Sequence, residues 1–560
     1  MMRFTACLTD RLADAAKRMS DRRWARLRDR IALGALLATF LMPVAPSSSL
    51  AAGEFEAYLT EAVATPSGDE SDIDILAIRK FYKDRAFAPI WLDGAGANQR
   101  AVILTTALRN ADAHGLDSVD YVPDGLDALM NARGEGERAA LEFALSHALV
   151  RYGKDVGSGR LDPQKVDPEH YVYPRDIDPV LLLSDAGAAP DLAAFLESLA
   201  PGSREYSRLK NALANYRVIA ANGGWSRLPD GETLKPGMSD PQVALLRRRL
   251  VEAGDLDVAA ASGDLFDEDL ETAVKFFQYR HGLTRDGAVG KRTRAALNVP
   301  VEARIDQMLL NMERRRWMPV DPGERYVFVN MADFVLKVVD GPKTIHDTRV
   351  VVGAPFHRTP VFSGEMTFLV LNPYWHVPPS IAKREILPKL KQNANYLVEK
   401  NMTLLSGWSA GASELDSTVV DWANMSTGDF TYKIRQGPGD GNALGRVKFM
   451  FPNRFNVYLH DTQSKNLFGR TVRTFSHGCI RVENPLDLAE MLLRHDEDWP
   501  RERIESVVRG GERKVVSLDE SIPVHLTYLT AWVNKDGSVH FRDDVYERDK
   551  RLAAVLFKDR

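Results

Sequence analysis

The chain has 560 residues, 44% of them apolar and 27% charged, with a formal net charge of −4 at neutral pH and two cysteines. The length and apolar content allow several folded domains with sizeable cores. The mild acidity excludes generic nucleic-acid binding, and two cysteines cannot build a disulfide framework.

Near the start, at 21–30, stands the arginine-rich "DRRWARLRDR". An apolar, uncharged run follows at 31–44, and then the small-residue stretch "APSSSLAAGE". Basic, then apolar, then small residues is the layout of a secretory signal. The apolar run is shorter than the roughly 20 residues that a comfortable bilayer span needs. We therefore read residues 1–51 as a signal peptide, with an uncleaved anchor as the alternative. Cleavage sends the protein to the periplasm and leaves no integral membrane domain. The segment carries nine Lys/Arg and four Asp, a net of +5, so its removal takes the chain from −4 to −9. It also removes Cys7, which leaves Cys479 as the one thiol of the mature chain.

Residues 54–230 read as a helical scaffold. "DIDILAIRKFYKDRAF" places Ile75, Ile78 and Tyr82 on one helix face, and "NQRAVILTTALRNADAHGL" stops at Gly115. "ERAALEFALSHALVRYGKDV" is a further striped helix, and the region holds no catalytic constellation. Residues 238–298 predict a small three-helix unit. Ser239 is the expected cap of its first helix and Pro241 stands in the first turn. Its wording "AVKFFQYRHGLTRDGAVGKRTRAAL" resembles the peptidoglycan-binding domain of wall enzymes, without the usual Gln near Leu246. The sequence leaves sugar binding and a plain packing role equally open.

From residue 324 the period changes to alternation. "RYVFVNMADFVLKVVDGPKTIHDTRVVVG" is a hairpin pattern with its turn at Asp340-Gly341, and "EMTFLVLNPYWHVP" and "RVKFMFPNRFNVYLHDT" are further strands. We assign 324–510 to a β-rich catalytic domain. An inserted lid subdomain occupies about 378–435, and 511–560 form a C-terminal extension. The fold class is thus multidomain α+β.

The chemistry concentrates in "TVRTFSHGCIRVENPLDLAEML". Asn484 and Pro485 start a helix, so Cys479 sits on a short turn or extended piece just upstream. A thiol attacks carbonyls as thiolate and needs a base or a positive neighbour. His460 ends an alternating strand that can hold it rigidly, and is preferred over His477 as the base. Gly478 permits an unusual backbone angle, and Arg481 places a cation two residues from the sulfur. The stretch "GPGDGNALG" lacks the Gly-Lys-Ser/Thr ending of a phosphate loop and reads as a turn serving the site. Zinc on His460, His477, Cys479 and Asp461 lacks the usual ligand spacing. No metal and no cofactor are called for.

The run "HDTQSKNLFGRTVRTFSHGCIRVENP" closely resembles the active-site signature of the L,D-transpeptidases, the YkuD-type fold. Scaffold, peptidoglycan-binding-like unit and inserted lid together resemble the large periplasmic members of Gram-negative bacteria. The resemblance implies that Cys479 and His460 are catalytic, with Ser476, His477, Gly478 and Arg481 in support. Backbone N–H groups near Gly478 and Cys479 would be the oxyanion donors. Arg481 either holds a substrate carboxylate or braces the loop. Tyr374, Trp375, Trp408 and Tyr458 are candidate substrate contacts. Implied partners are peptidoglycan stem peptides, as donor and acceptor. The implied reaction joins two diaminopimelate residues in a 3→3 cross-link through a thioester. The same thioester passed to water or to a protein amine is the near alternative, and a non-catalytic wall-binding scaffold is the alternative of another class.

Overall fold

The computed structural model describes residues 53, 56–58, 71–94 and 96–558; the segment read as a signal peptide lies outside them. Among the described residues no helix is long and apolar enough to cross a membrane. The architecture is multidomain α+β, helical before residue 324 and β-rich after it.

The helices Ser71–Asp84, Glu135–Ser158 and Arg204–Ala221 turn their apolar stripes into one core around Ile78, Trp91, Leu145 and Leu213. Gly115 closes a short helical turn with φ 73°, and a Cβ there would press into Leu309, so both space and backbone favour glycine. The three helices Pro241–Glu252, Glu268–Arg280 and Lys291–Leu297 share a second core of Leu246, Leu270, Phe277 and Leu297. Their first helix is capped by Asp240, whose carboxylate accepts from the Gln242 N–H at 2.7 Å. Ser239, the expected cap, is instead held in an extended bridge to Leu265.

The β-rich part is a closed barrel. Its strands are β1 (Arg325–Asn330), β2 (Val335–Asp340), β3 (Lys343–Gly353), β4 (Val361–Leu371), β5 (Val447–Met450), β6 (Leu459–His460), β7 (Ile480–Val482) and β8 (Lys514–Thr527). Around the barrel the order is β5-β6-β7-β3-β2-β1-β8-β4, and β4 returns to β5. The pairs β6–β7 and β1–β8 are parallel and the rest antiparallel. Alternation fills the interior with Val327, Leu336, Val350, Leu369, Phe449 and Ile480, all buried. The β2–β3 hairpin turns at Asp340-Gly341, as its sequence pattern indicates. The stretch after 510, expected as an extension, supplies β8, which pairs with β1 and β4. Its alternation is interrupted by a register shift between Ser517 and Ile522, which hides the strand from a period-two reading.

Between β4 and β5 the chain builds a subdomain with its own core of Val377, Leu387, Leu404, Trp422, Phe430 and Ile434. It has a four-stranded sheet, ordered Glu414–Leu415, Met402–Leu405, Lys433–Gln436, Trp375–His376. Its helical arm contains a π-helical turn, Ala382–Ile386. Pro388 follows at once; it has no N–H to return to the preceding turn, a local reason for the widened backbone.

The last fifty residues fasten the parts together. The hairpin Ala531–Val533 and Val539–Phe541 packs into the N-terminal helical core. Thr530 exchanges hydrogen bonds with Asn311 of helix Val301–Arg316, at 2.8 and 2.9 Å. Two buried histidines line these seams. His170 meets the Trp317 ring edge-on at 5.2 Å, and His281 stacks on Phe541 at 5.7 Å. Burial, and then Arg314 and Arg548, press the His170 pKa down to about 3. Burial, and then Arg280, Arg304 and Arg542, push His281 well below its ordinary value.

Both folded-state values lie below the unfolded value of about 6.5. The stability these neutral rings contribute is therefore complete above that pH and is lost as pH falls below it. The thermal midpoint should hold level above about pH 7 and fall progressively below about pH 6. The variant His281→Phe, which keeps the stack and removes the titration, should fall less steeply. Melting curves at a series of pH values check this.

Candidate active site

The site follows from the register of β6 and β7. Leu459 pairs with Ile480, and His460 with Arg481, in parallel. Leu459 and Ile480 are fully buried in the barrel core, so alternation turns His460 and Arg481 to the outer face. On β5, Lys448 lies opposite His460, with the inward residues Val447 and Phe449 on either side. Tyr458 joins the outer face: its ring meets His460 edge-on at 5.6 Å and carries the Lys448 ammonium 3.8 Å from its centroid. The Cys479 thiol completes the group. It is half-buried and donates to the Asn456 carbonyl at 3.7 Å.

His460 Nδ1–H donates to the Asp461 carbonyl at 2.5 Å. This bond sets the tautomer and leaves Nε2 as the ring's free lone pair. The peptide that carries the carbonyl is itself pinned. The Asp461 carboxylate accepts from the Arg446 N–H at 2.8 Å, the Thr462 N–H at 2.7 Å and Lys465 Nζ at 2.5 Å. The turn 437–445 lies against it, and Gly445, at φ 60°, touches the Asp461 side chain so closely that a Cβ would overlap it.

The turn before Cys479 is held by a different set of bonds. Gly478 has φ 108°, a conformation open to glycine and strained for other residues. Buried Ser476 accepts from the Gly478 N–H at 3.2 Å and donates to the Cys479 carbonyl at 2.5 Å. Thr359 donates to the Gly478 carbonyl at 2.8 Å and accepts from the Gly353 N–H at 3.0 Å. The Gly478 N–H, one of the expected oxyanion donors, is therefore occupied. The Cys479 N–H donates to no acceptor among the described residues.

Burial dominates the electrostatics of the pair. It drives the His460 pKa down to about 3, helped by Arg481 and Lys448 and resisted by the Asp461 carbonyl. It also raises the Cys479 thiol, against the pull of the Tyr458 N–H and hydroxyl and of Lys448 and Arg481. At neutral pH the resting pair is a neutral thiol and a neutral imidazole. Lys448 and Arg481 have no carboxylate within ion-pair distance among the described residues, and both lose some basicity to burial.

The remaining candidates lie elsewhere. His477 turns to the inserted subdomain, where Nε2 meets Glu385 at 2.6 Å, and its ring stacks on His357 at 4.8 Å. Trp375 packs against the subdomain core. Tyr374 and Trp408 are exposed on the subdomain, beneath Arg435 at 5.0 Å and Lys433 at 5.3 Å. Sequence reasoning missed Lys448, Asn456 and Thr359. The alternation of "RVKFMF" marks Lys448 as outward-facing, but its place opposite His460 needs the strand order.

Comparisons with known proteins match three parts of the chain. Residues 76–213 match a scaffold domain, 239–297 a "Putative peptidoglycan binding domain", and 324–511 an L,D-transpeptidase catalytic domain. A "Putative L,D-transpeptidase" of Haemophilus influenzae is 33% identical over 252 residues, which cover 45% of this chain and 50% of that protein. The match thus spans half the length of that curated relative. Among solved structures, an L,D-transpeptidase fragment from Xylanimonas cellulosilytica is 19% identical, with 53% of this chain and 99% of that one covered and a TM-score of 0.17. The Ldtfm-avibactam carbamoyl enzyme is 13% identical, with 57% and 98% covered and a TM-score of 0.17.

Two outcomes follow from the geometry. Gly445→Ala forces a Cβ into Asp461 at a left-handed backbone position and should cost about 1–3 kcal/mol of stability. It should also slow alkylation of Cys479 at neutral pH; melting and iodoacetamide labelling measure the two effects. Alkylation of the wild type should rise with pH to an inflection above that of a free thiol. Lys448→Met and Arg481→Met remove charges that hold the thiolate, so each should move the inflection higher still.

Proposed function

We propose that this chain, whose residues 324–511 form an L,D-transpeptidase catalytic domain, is an extracytoplasmic enzyme that cross-links peptidoglycan through a thioester on Cys479. The observation that carries the reading is the outward cluster on β5, β6 and β7. It gathers a thiol, a histidine with its Nδ1 tied to a backbone carbonyl, and two cations that have no carboxylate within ion-pair distance among the described residues.

In this reading His460 Nε2 takes the thiol proton as the sulfur attacks the carbonyl at the L-centre of diaminopimelate in a tetrapeptide stem. The Cys479 N–H faces the developing oxyanion. The intermediate collapses with scission of the bond to the terminal D-Ala, whose nitrogen takes the proton from His460. The side-chain amine of a second stem then attacks the thioester and passes a proton to His460, and the thiol is restored. A 3→3 bond has formed, with no change of oxidation state. Arg481 and Lys448 supply positive potential for the carboxylates of the stem. Ser476 and Thr359 hold the nucleophile turn. The subdomain 375–436 limits water, which would otherwise compete with the acceptor amine for the thioester.

The test is product analysis. The full chain, incubated with tetrapeptide stems, should release D-Ala and give 3→3 dimers by mass spectrometry, and Cys479→Ala should give neither. Trimmed tripeptides without dimers would move the assignment to the hydrolytic branch. No consumption of stems by the folded wild type would overturn it.

A further inference from the structure

We propose that the scaffold segment 167–171 is a positioning element of the active site, bracing both loops that meet at Cys479. The segment leaves the helical domain and enters the barrel sheet. His170–Tyr171 pairs in parallel with Val361–Phe362 of β4, and the Val361 N–H donates to the Glu169 carbonyl at 2.9 Å.

One route runs through charge. Asp167 and Arg548 are both buried, and Arg548 Nε donates to the Asp167 carboxylate at 2.8 Å. Arg548 Nη2 reaches Glu169 at 3.3 Å and the Thr359 carbonyl at 3.1 Å. Thr359 in turn holds the Gly478 carbonyl, one residue before the sulfur. The nucleophile turn is thus joined to the scaffold through Thr359 and Arg548, with Arg358 of the same loop 3.6 Å from Glu169.

The other route runs through rings. Tyr171 lies 4.4 Å from the Phe455 ring, with the Arg454 guanidinium 4.4 Å from its own centroid. Phe455 rests on Phe362 at 4.8 Å. These contacts seat the loop 453–457, which Asn453 ties internally by accepting from the Phe455 and Val457 N–H groups at 3.0 and 3.2 Å. The loop carries Asn456, at φ 54°, whose carbonyl accepts from the thiol. It then leads into Tyr458.

A buried ion pair is a poor source of net stability, since well-packed apolar groups do as well. It does fix direction, because both partners demand particular geometry. Asp167 and Arg548 lie 381 positions apart in sequence, and their contact ends on the catalytic turn. A plain tether between domains needs no such path.

The inference rests on Cys479 as the nucleophile, and its test separates the two claims. In the full chain, Tyr171→Ala should lower kcat about ten- to hundredfold while KM for the donor stem stays within about twofold, the mark of misplaced groups. The pH profile of Cys479 alkylation, which needs no substrate, should be displaced. Tyr171→Phe should restore both, because the contacts are those of the ring. Asp167→Asn, which weakens the other route, should displace the profile as well. Wild-type kcat and an unchanged profile in Tyr171→Ala would overturn the proposal. So would a Tyr171→Phe variant as impaired as the alanine. Should Tyr171→Ala fail to fold, Arg454→Gln takes its place, since Arg454 is exposed; an unmoved profile there overturns the proposal. An inactive wild type would sink the proposed function, and the alkylation arm would still decide this inference.

Discussion

The bond from His460 Nδ1 to the Asp461 carbonyl is the contact on which the site depends. A neutral imidazole has one donor and one acceptor nitrogen. Committing the donor to the backbone leaves the acceptor nitrogen to take a proton, as the proposed mechanism asks of it, with no third side chain required. The cost is that the carbonyl must not move. That demand accounts for the crowded surroundings of Asp461, whose carboxylate gathers two backbone N–H groups and Lys465. It also accounts for Gly445 at a place where a side chain would push Asp461 aside. The turn 437–445 thus helps to fix the peptide plane that receives the His460 N–H.

Burial makes this pair different from a standing thiolate–imidazolium. Removing both groups from water raises the thiol and lowers the imidazole, so charge separation at rest is disfavoured. Lys448 and Arg481 work against that penalty for the sulfur and add to it for the ring. Their influence grows as a bound substrate expels solvent and the local dielectric falls. The arrangement therefore keeps the Cys479 thiol protonated at rest, and the mechanism proposed above has it lose its proton only with an acyl donor seated. A resting thiol is protected by this, since the thiolate is the form that oxidants attack.

Much of this was legible from residue pattern, and what was not has physical reasons. The β2–β3 hairpin and the helix after Pro485 declare themselves by period and punctuation, because local propensity and tertiary placement agree there; of the alternating run before His460 only Leu459–His460 is strand, and 453–457 is a loop tied by Asn453. The pairing of β6 with β7 does not declare itself, because strand order is a non-local property. For the same reason Lys448 and Tyr458 could not be placed around the sulfur, and the Gly478 N–H could not be seen to be spent on Ser476. The cap at Asp240 shows the same effect on a smaller scale. Ser239 and Asp240 are both good caps, and the bridge from Ser239 to Leu265 decides between them. Aromatic residues were the least readable. Trp375 is drawn into a core that only the folded subdomain has, while Tyr374 and Trp408 stay on its surface under cations.

The modules are joined more closely than their motifs indicate. Composition and motif divide the chain into scaffold, small helical unit, catalytic domain and tail, yet the barrel closes only through β8, which begins after the catalytic motif has ended. Beyond β8 the chain turns back into the helical core through Ala531, Val533 and Phe541, and Arg548 ends on Asp167. The barrel's closing strand and the scaffold's docking contacts thus lie on one continuous stretch of backbone. Through β4 and β1, β8 bears on the sheet that carries the nucleophile turn. The reaction proposed above, which needs a thiol, a histidine and two peptides held in register, gains more from such a shared frame than from domains free to swing. The buried ion pairs at the seams are the directional contacts that such a frame requires.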